Sequence, residues 1–332
     1  MDNNILMLGT GSIAKRHIQN ILSTKKKKNI YIYSKNFLRS KNFCSHFKKK
    51  NVFPLQNLKN TFKFNHVFIA SNTSLHNKSL IEFIDKKNCK IYCEKPLPND
   101  KNFKLLKQLS KNNKNNKKIS IGFQFRFNPL INFLKKELQK TENKKINFIQ
   151  FNCGQNLNDW RKNYDYTKYH SAGNKKYSSV FWELCHEIDI LNYIFEKPKK
   201  IISIFSKSNE LKIDSHDISV TSFKFSKKKT ICVISVEMLS PILYRKLTIA
   251  TSNNYYEADL VKNVLIKKNK NKEQKFMFNT NRNYMFKACV ENFLDTSKKK
   301  KVISANLNDG IFVTEIIKKM ILSNKKKKII NI

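Results

Sequence analysis

The chain has 332 residues, 40% of them hydrophobic, which is enough for two domains with substantial cores. Its formal charge of +42 is spread along the whole sequence, whereas a nucleic-acid-binding protein needs a contiguous basic stripe with interleaved aromatics. The seven cysteines form no C-x-x-C pair, which argues against a zinc site or a disulfide scaffold, and no apolar run approaches the length of a membrane span.

In chain order, the first third alternates strands with helices. Strands are expected at "ILML" (Ile5 to Leu8), "NIYIY" (from Asn29), "HVFIAS" (from His66), "KIYCEKP" (from Lys90) and "KISIGF" (from Lys118). Helices are expected after Ala14, from Asn36 to Lys49, from Ser74, and from about Asn99 to Asn112. The polar stretch "KNNKNNKK" (from Lys111) reads as a solvated loop. This alternation predicts right-handed βαβ units and a parallel sheet.

The pattern then changes. "INFIQFNC", "KIISIFSKS", "DISVTSFKFS", "TICVISVEM" and "LYRKLTIATS" read as strands of a large, mostly antiparallel sheet. One helix carrying "VFWELCHEIDILNYIF" (from Val180) interrupts them, and two more close the chain. The expected fold class is therefore α/β in two parts: a Rossmann domain over residues 1–122, and an α+β domain with an open sheet over 123–332. The last helix, about 306–323, is expected to pack back toward the first domain.

With only six glycines in the chain, the pair in "GTGSIAKRHIQN" is informative. Gly9-x-Gly11-x-x-Ala14 follows a strand and opens a helix, as a dinucleotide fingerprint does. Gly9 permits the tight turn. Gly11 lets Thr10, Ser12 and Ile13 approach a pyrophosphate at the positive end of the helix. Ala14 allows close packing of helix on strand. Four further stretches follow. "SNTSLH" places Ser71, Asn72 and His76 at the end of a parallel strand, where such sheets bind ligands. "CEKP" places Glu94 and Lys95 at the end of the next. "FQFRFNP" carries Arg126, and "WELCHEID" sets Glu183, His186 and Asp189 at three-residue intervals on one helical face.

In this order and spacing the stretches resemble the glucose–fructose oxidoreductase and inositol dehydrogenase family, Gfo/Idh/MocA. The resemblance extends to the closing "NDGIFVTEIIKKMILS". It implies hydride transfer between nicotinamide and a sugar or cyclitol carbon. Lys95 would be the lysine of the Glu-Lys-Pro turn and His186 the acid/base, with Glu183 assisting. Glu94 would contact the nicotinamide ribose, and Pro96 often follows the lysine through a cis bond. Trp160 and Arg161 in "DWRKNYDY", with Arg126 and Asp189, are candidate sugar contacts; packing, and for Asp189 holding of the helix, are the plainer roles. That stretch looks most like members associated with bacterial surface-polysaccharide sugars. No metal site is expected.

Two features depart from the family. "YSSVFWEL" (Tyr177, Ser178, Ser179) stands where glycines are common, and Glu183 stands where an aspartate three or four residues before the histidine is common. A catalytically idle NAD(P)- or sugar-binding sensor is the alternative these departures raise. Cofactor choice falls on the second strand end, where Ser34, Lys35 and Arg39 occur and no carboxylate does; this favours NADP over NAD. The basic chain suits an anionic, nucleotide-linked sugar. The resemblance implies a homodimer or homotetramer through the open sheet, and the reducing cytoplasm is the expected compartment.

Overall fold

The computed structural model describes residues 4–25, 28–47, 50–58, 64–140, 145–160, 165–168, 177–225, 229–295 and 303–332. The chain folds as two units, residues 1–127 with 281–312, and residues 128–280 with 313–332. This partition differs from the expected one, because 281–312 return to the first unit.

The first unit is built on six parallel strands: β1 (Asn4–Leu8), β2 (Asn29–Tyr33), β3 (Val52–Pro54), β4 (His66–Ile69), β5 (Lys90–Cys93) and β6 (Ile119–Ile121). Their order is β3-β2-β1-β4-β5-β6. It reverses between β1 and β4, the switch point of a doubly wound sheet. The central strands are apolar on both faces, as a parallel sheet covered by helices requires; all four residues of β4 are buried. Register is in phase at the carboxyl ends, where Leu8 pairs with both Tyr33 and Ile69, Ile69 with Cys93, and Cys93 with Ile121.

Five helices of this unit follow in sequence: α1 (Ser12–Leu22), α2 (Phe37–Ser45), α3 (His76–Ile84), α4 (Phe103–Leu109) and α5 (Asn113–Lys118). The last corrects an expectation, since "KNNKNNKK" is helical rather than a loop. Its asparagines act on the backbone. Asn112 caps Lys114 N, Asn115 donates to Leu109 O, and buried Asn116 donates to Ser110 O and accepts from Asn308 N. Ala14, Ile18 and Ile21 of α1 join Ile5, Met7, Phe68 and Tyr92 in one core with Cys289, Val290 and Phe293. Those last three lie on a later helix, Arg282–Leu294. Asn20 and Asn283 exchange amide hydrogen bonds at 2.8 and 3.3 Å, tying that helix to α1.

The second unit opens with α6 (Pro129–Leu138), whose proline occupies the first turn and whose cap is Asn128. A nine-stranded sheet follows, in the order β14-β13-β12-β11-β7-β10-β9-β8-β15. β7 (Ile146–Gly154), β8 (Lys200–Ser206), β9 (Ile218–Lys224), β10 (Ile231–Glu237) and β11 (Tyr244–Thr251) match the sequence expectation. β12 (Tyr255–Asp259), β13 (Val264–Lys268), β14 (Glu273–Met277) and β15 (Ile330–Asn331) are additional. All pairings are antiparallel except β7 with β10. Strict alternation of buried and open residues in β10 leaves one face covered and one accessible.

The expected single helix from Val180 is two: α7 (Val180–Glu183) and α8 (His186–Ile194). Leu184, at φ −98° and ψ 46°, leaves the helical region and separates them. Numbering the Arg282–Leu294 helix α9, the final helix α10 (Leu307–Lys326) has its residues up to Phe312 in the first unit and those from Val313 in the second. Near its end, Ser323 and Asn324 accept from the Ser203 and Phe205 amides of β8 at 3.0 and 2.8 Å. Among the described residues no helix is long and apolar enough to cross a membrane.

Candidate functional site

Four strand ends of the first unit are locked one residue beyond the sheet. Gly9 N donates to Tyr33 O, Ala70 N to Leu8 O, Glu94 N to Ile69 O and Gly122 N to Cys93 O, all at 2.8–3.0 Å. The two glycines of the turn have different reasons for being glycine. Gly9 has φ +119°, and a Cβ there would lie 2.4 Å from Ala70 O, so no side chain fits. Gly11 is the extended N-cap of α1, and a Cβ there would meet nothing within 4 Å. The protein itself therefore has room for a side chain at Gly11. The open space lies at the amino end of α1, where the first N–H groups have no intrahelical partner and favour an anion. Thr10 and Ile13 are half-buried beside it and Ser12 is exposed. The buried Ser71 hydroxyl, next to the Ala70 carbonyl that closes on Gly9, has no hydrogen-bond partner among the described residues. An open cradle, a helix amino end and an unsatisfied hydroxyl fit a dinucleotide.

At the end of β2, Lys35 and Arg39 are exposed. Ser34 is engaged in the turn, donating to Asn36 O at 2.6 Å and accepting from Ser40 at 3.1 Å. These bonds support the start of α2, whose cap is Asn36. At the end of β4, Asn72 is exposed, but His76 is 1% exposed with both ring nitrogens against backbone oxygens, Pro96 O at 2.9 Å and Ser71 O at 3.1 Å. Burial lowers its pKa, against the pull of the two carbonyls. His76 thus braces the β4 end against the Glu-Lys-Pro turn.

Beyond β5, Lys95 is half-buried and the Lys95–Pro96 bond is cis. Glu94 is 7% exposed. One of its oxygens meets His17 Nε2 at 2.7 Å, and its carboxylate lies so close to Gly122 that a Cβ there would sit 3.0 Å away. One carboxylate oxygen is thus anchored inward. Arg126 is likewise committed: its guanidinium pairs with Asp309 Oδ2 at 3.1 Å, at the start of α10. That oxygen also accepts from Asn306 N, so Arg126 ties its segment to a helix start.

In the second unit, His186 opens α8 at 5% exposure and Asp189 is 1% exposed. Glu183 is half-buried at the end of α7, across the Leu184 break, so it does not share a continuous helical face with His186. Ser178 and Ser179 are 2% and 7% exposed, and Tyr177 packs edge-on against Trp182. Trp160 is half-buried and donates to Gln155 O at 3.4 Å, while Arg161 lies outside the described residues. A separate cleft of about 320 Å³, lined by residues including Lys135, Leu138, Phe195 and Glu196, contains none of these candidates.

Two anchors escaped the sequence reading. His17 was visible on the apolar face of α1, but its partner is 77 residues away. Glu187, 1% exposed and adjacent to His186, pairs with Arg245 Nε at 2.8 Å. Burial alone would lower the Arg245 pKa, but the Glu187 and Cys153 charges raise it overall.

Residues 3–123 match the model of the Gfo/Idh/MocA oxidoreductase family, described by its NAD-binding Rossmann fold. This segment belongs to that family. Among solved structures, a levoglucosan dehydrogenase in complex with NADH aligns at TM-score 0.83 and 14% identity, covering 100% of this chain and 99% of the other. A myo-inositol dehydrogenase from Corynebacterium glutamicum aligns at TM-score 0.77 and 16% identity, over 100% and 99%. The transcriptional regulator Gal80p from Kluyveromyces lactis aligns at TM-score 0.80 and 15% identity, over 100% and 91%. No curated protein matches the chain by sequence. The fold shared with these solved structures thus extends over both units, a Rossmann unit and a mostly antiparallel sheet unit.

The two glycines of the Gfo/Idh/MocA fingerprint are predicted to fail differently. Gly9→Val should destabilise the protein by at least about 1–3 kcal/mol, the cost of a strained backbone, plus the clash with Ala70. Gly11→Val should melt like the unmodified protein yet lose NAD(P)H binding. Thermal melts with fluorescence titration separate them; a folded Gly11→Val protein with undiminished binding refutes the cradle.

Proposed function

We propose that the chain is an NAD(P)-dependent dehydrogenase or reductase acting on a CH–OH group of a sugar or nucleotide-linked sugar. The observation that carries this reading is the placement of Lys95 at the β5 end, across the β1/β4 switch point from the Gly9–Gly11 turn. In such a sheet the adenosine half of the dinucleotide lies toward β2 and the nicotinamide half toward β4 and β5. The nicotinamide would supply or accept the hydride. Lys95 and His186 hold and move the alcohol proton as general acid/base partners, with Glu183 assisting. Trp160 and Arg161 are proposed sugar contacts. The solved neighbours support a polyol-like substrate, since one is a levoglucosan dehydrogenase in complex with NADH and levoglucosan. The charge of +42 supports an anionic, nucleotide-linked one, as in surface-polysaccharide sugar synthesis in the cytoplasm.

Lys35 and Arg39, exposed at the β2 end with no neighbouring carboxylate, favour the 2′-phosphate of NADP. The accessible sheet face carries Ile202, Ile204, Val220, Ile231 and Met277, which are 38–75% exposed and alternate onto one side by register. A homodimer or homotetramer through this face is the proposed assembly. A second reading, an NAD(P)-binding sensor without turnover, is supported by Ser178 and Ser179, buried residues with side chains where glycines would admit close backbone approach to a substrate.

Three outcomes test these assignments. NADPH should bind about tenfold or more tightly than NADH, the worth of a charge-assisted hydrogen bond, and Ser34→Asp should shrink that preference; tighter NADH binding by the unmodified protein contradicts it. Lys95→Ala and His186→Ala should each lose about 10²- to 10⁴-fold in turnover while retaining cofactor, with the double variant little worse than either. Full turnover by Lys95→Ala removes the acid/base assignment, and no turnover of any sugar or nucleotide-sugar by the unmodified protein selects the sensor. Light scattering should find an oligomer that Ile204→Glu dissociates; a monomer in the unmodified protein removes the proposed interface.

A further inference from the structure

The His17–Glu94 hydrogen bond joins two elements that the dinucleotide would use separately. His17 is the sixth residue of α1, the helix whose amino end faces the pyrophosphate position. Glu94 directly precedes Lys95 at the β5 end. His17 is 0% exposed, and its ring is enclosed by Phe68, Tyr92 and Phe286 at centroid distances of 5.7, 5.0 and 6.4 Å. A carboxylate only accepts, so Nε2 carries the proton and donates to Glu94 Oε1 at 2.7 Å. The other ring nitrogen, Nδ1, has no partner among the described residues. The side chain therefore has one polar attachment, and it is Glu94.

That attachment determines where the Glu-Lys-Pro turn sits. Glu94 N is held by Ile69 O at 2.9 Å, and its carboxylate by His17, beside Gly122 where a Cβ would lie 3.0 Å from it. Lys95 is the next residue of the chain and opens the turn through its cis bond to Pro96. Fixing the backbone and carboxylate of Glu94 thus fixes the point from which that turn starts. We propose that His17 is a positioning residue: through Glu94 it sets the Lys95 turn for the nicotinamide half of the cofactor, without touching the cofactor itself. The inference rests on the NAD(P) reading above and adds a specific division. The adenosine and pyrophosphate half depends on Gly9, Gly11 and the β2 end, and the nicotinamide half depends on His17.

The division is testable without a substrate. Glutamine at position 17 places its amide nitrogen close to the position of Nε2, whereas asparagine is too short to reach Glu94. The probes are NADH or NADPH, whichever the unmodified protein binds more tightly, and ADP-ribose or its 2′-phosphate, which lack nicotinamide. His17→Asn should weaken the dinucleotide about tenfold or more, the loss of a hydrogen bond to a charged group, and change ADP-ribose binding less than about twofold. His17→Gln should restore dinucleotide binding to within about threefold. Equal weakening of both ligands, no weakening of either, or failure of glutamine to restore binding overturns the proposal. A second measurement needs no altered protein beyond an assignment control. The enclosed His17 imidazole N–H should give a slowly exchanging nuclear magnetic resonance signal that is absent in His17→Gln. It should move on addition of the dinucleotide and stay in place with ADP-ribose; a signal unmoved by the dinucleotide contradicts the proposal. An unmodified protein that binds neither NADH nor NADPH would instead overturn the functional reading.

Discussion

The backbone at Gly9 runs directly against the Ala70 carbonyl, at a φ of +119° and with no space for a side chain. This approach exists because β1 lies between β2 and β4, with Leu8 in register with both Tyr33 and Ile69. The chain leaving β1 must turn at once into α1, and the turn must clear the β4 end. Only glycine does both. Once that turn is fixed, the amino end of α1 opens at the point where strand order reverses, and the β2, β4 and β5 ends are carried to the same level. The fold of the first unit thus concentrates its functional candidates along one edge of one sheet.

Each unit places a proposed acid/base residue beside a buried carboxylate in sequence. Lys95 follows Glu94, which is held by His17; His186 precedes Glu187, which is paired with Arg245. Removing the partner of a buried polar or charged group is costly, because the remaining group is left unsatisfied. Such an anchor makes it costly for the neighbouring residue to drift, and proton transfer demands that stiffness. The anchors come from regular elements, α1 and β11, and not from loops.

Much of this was legible in the sequence where chemistry is local. The glycine turn stood out because glycine is scarce, and the β1 to β6 alternation followed from apolar runs separated by amphipathic helices. What escaped depends on contacts distant in sequence or on backbone geometry. The helicity of "KNNKNNKK" was hidden because its asparagines satisfy backbone groups, the same chemistry that usually favours a loop. β13 and β14 carry lysines and polar residues beside their few apolar ones, so their strand pattern is weak. The break at Leu184 leaves no sequence mark, and it separates Glu183 from the helical face of His186. Glu94, Arg126 and His76 were read as ligand contacts because their positions suit that role; their partners His17, Asp309 and the Pro96 carbonyl are distant in sequence and left no mark there.

The account depends on the first unit holding a nicotinamide dinucleotide. The most direct measurement is mass spectrometry of the small molecules released when the purified protein is denatured, before and after incubation with NADH and NADPH. The account predicts release of a nicotinamide dinucleotide in stoichiometric proportion to the chain. A protein that releases none, and retains none after incubation and desalting, would contradict it.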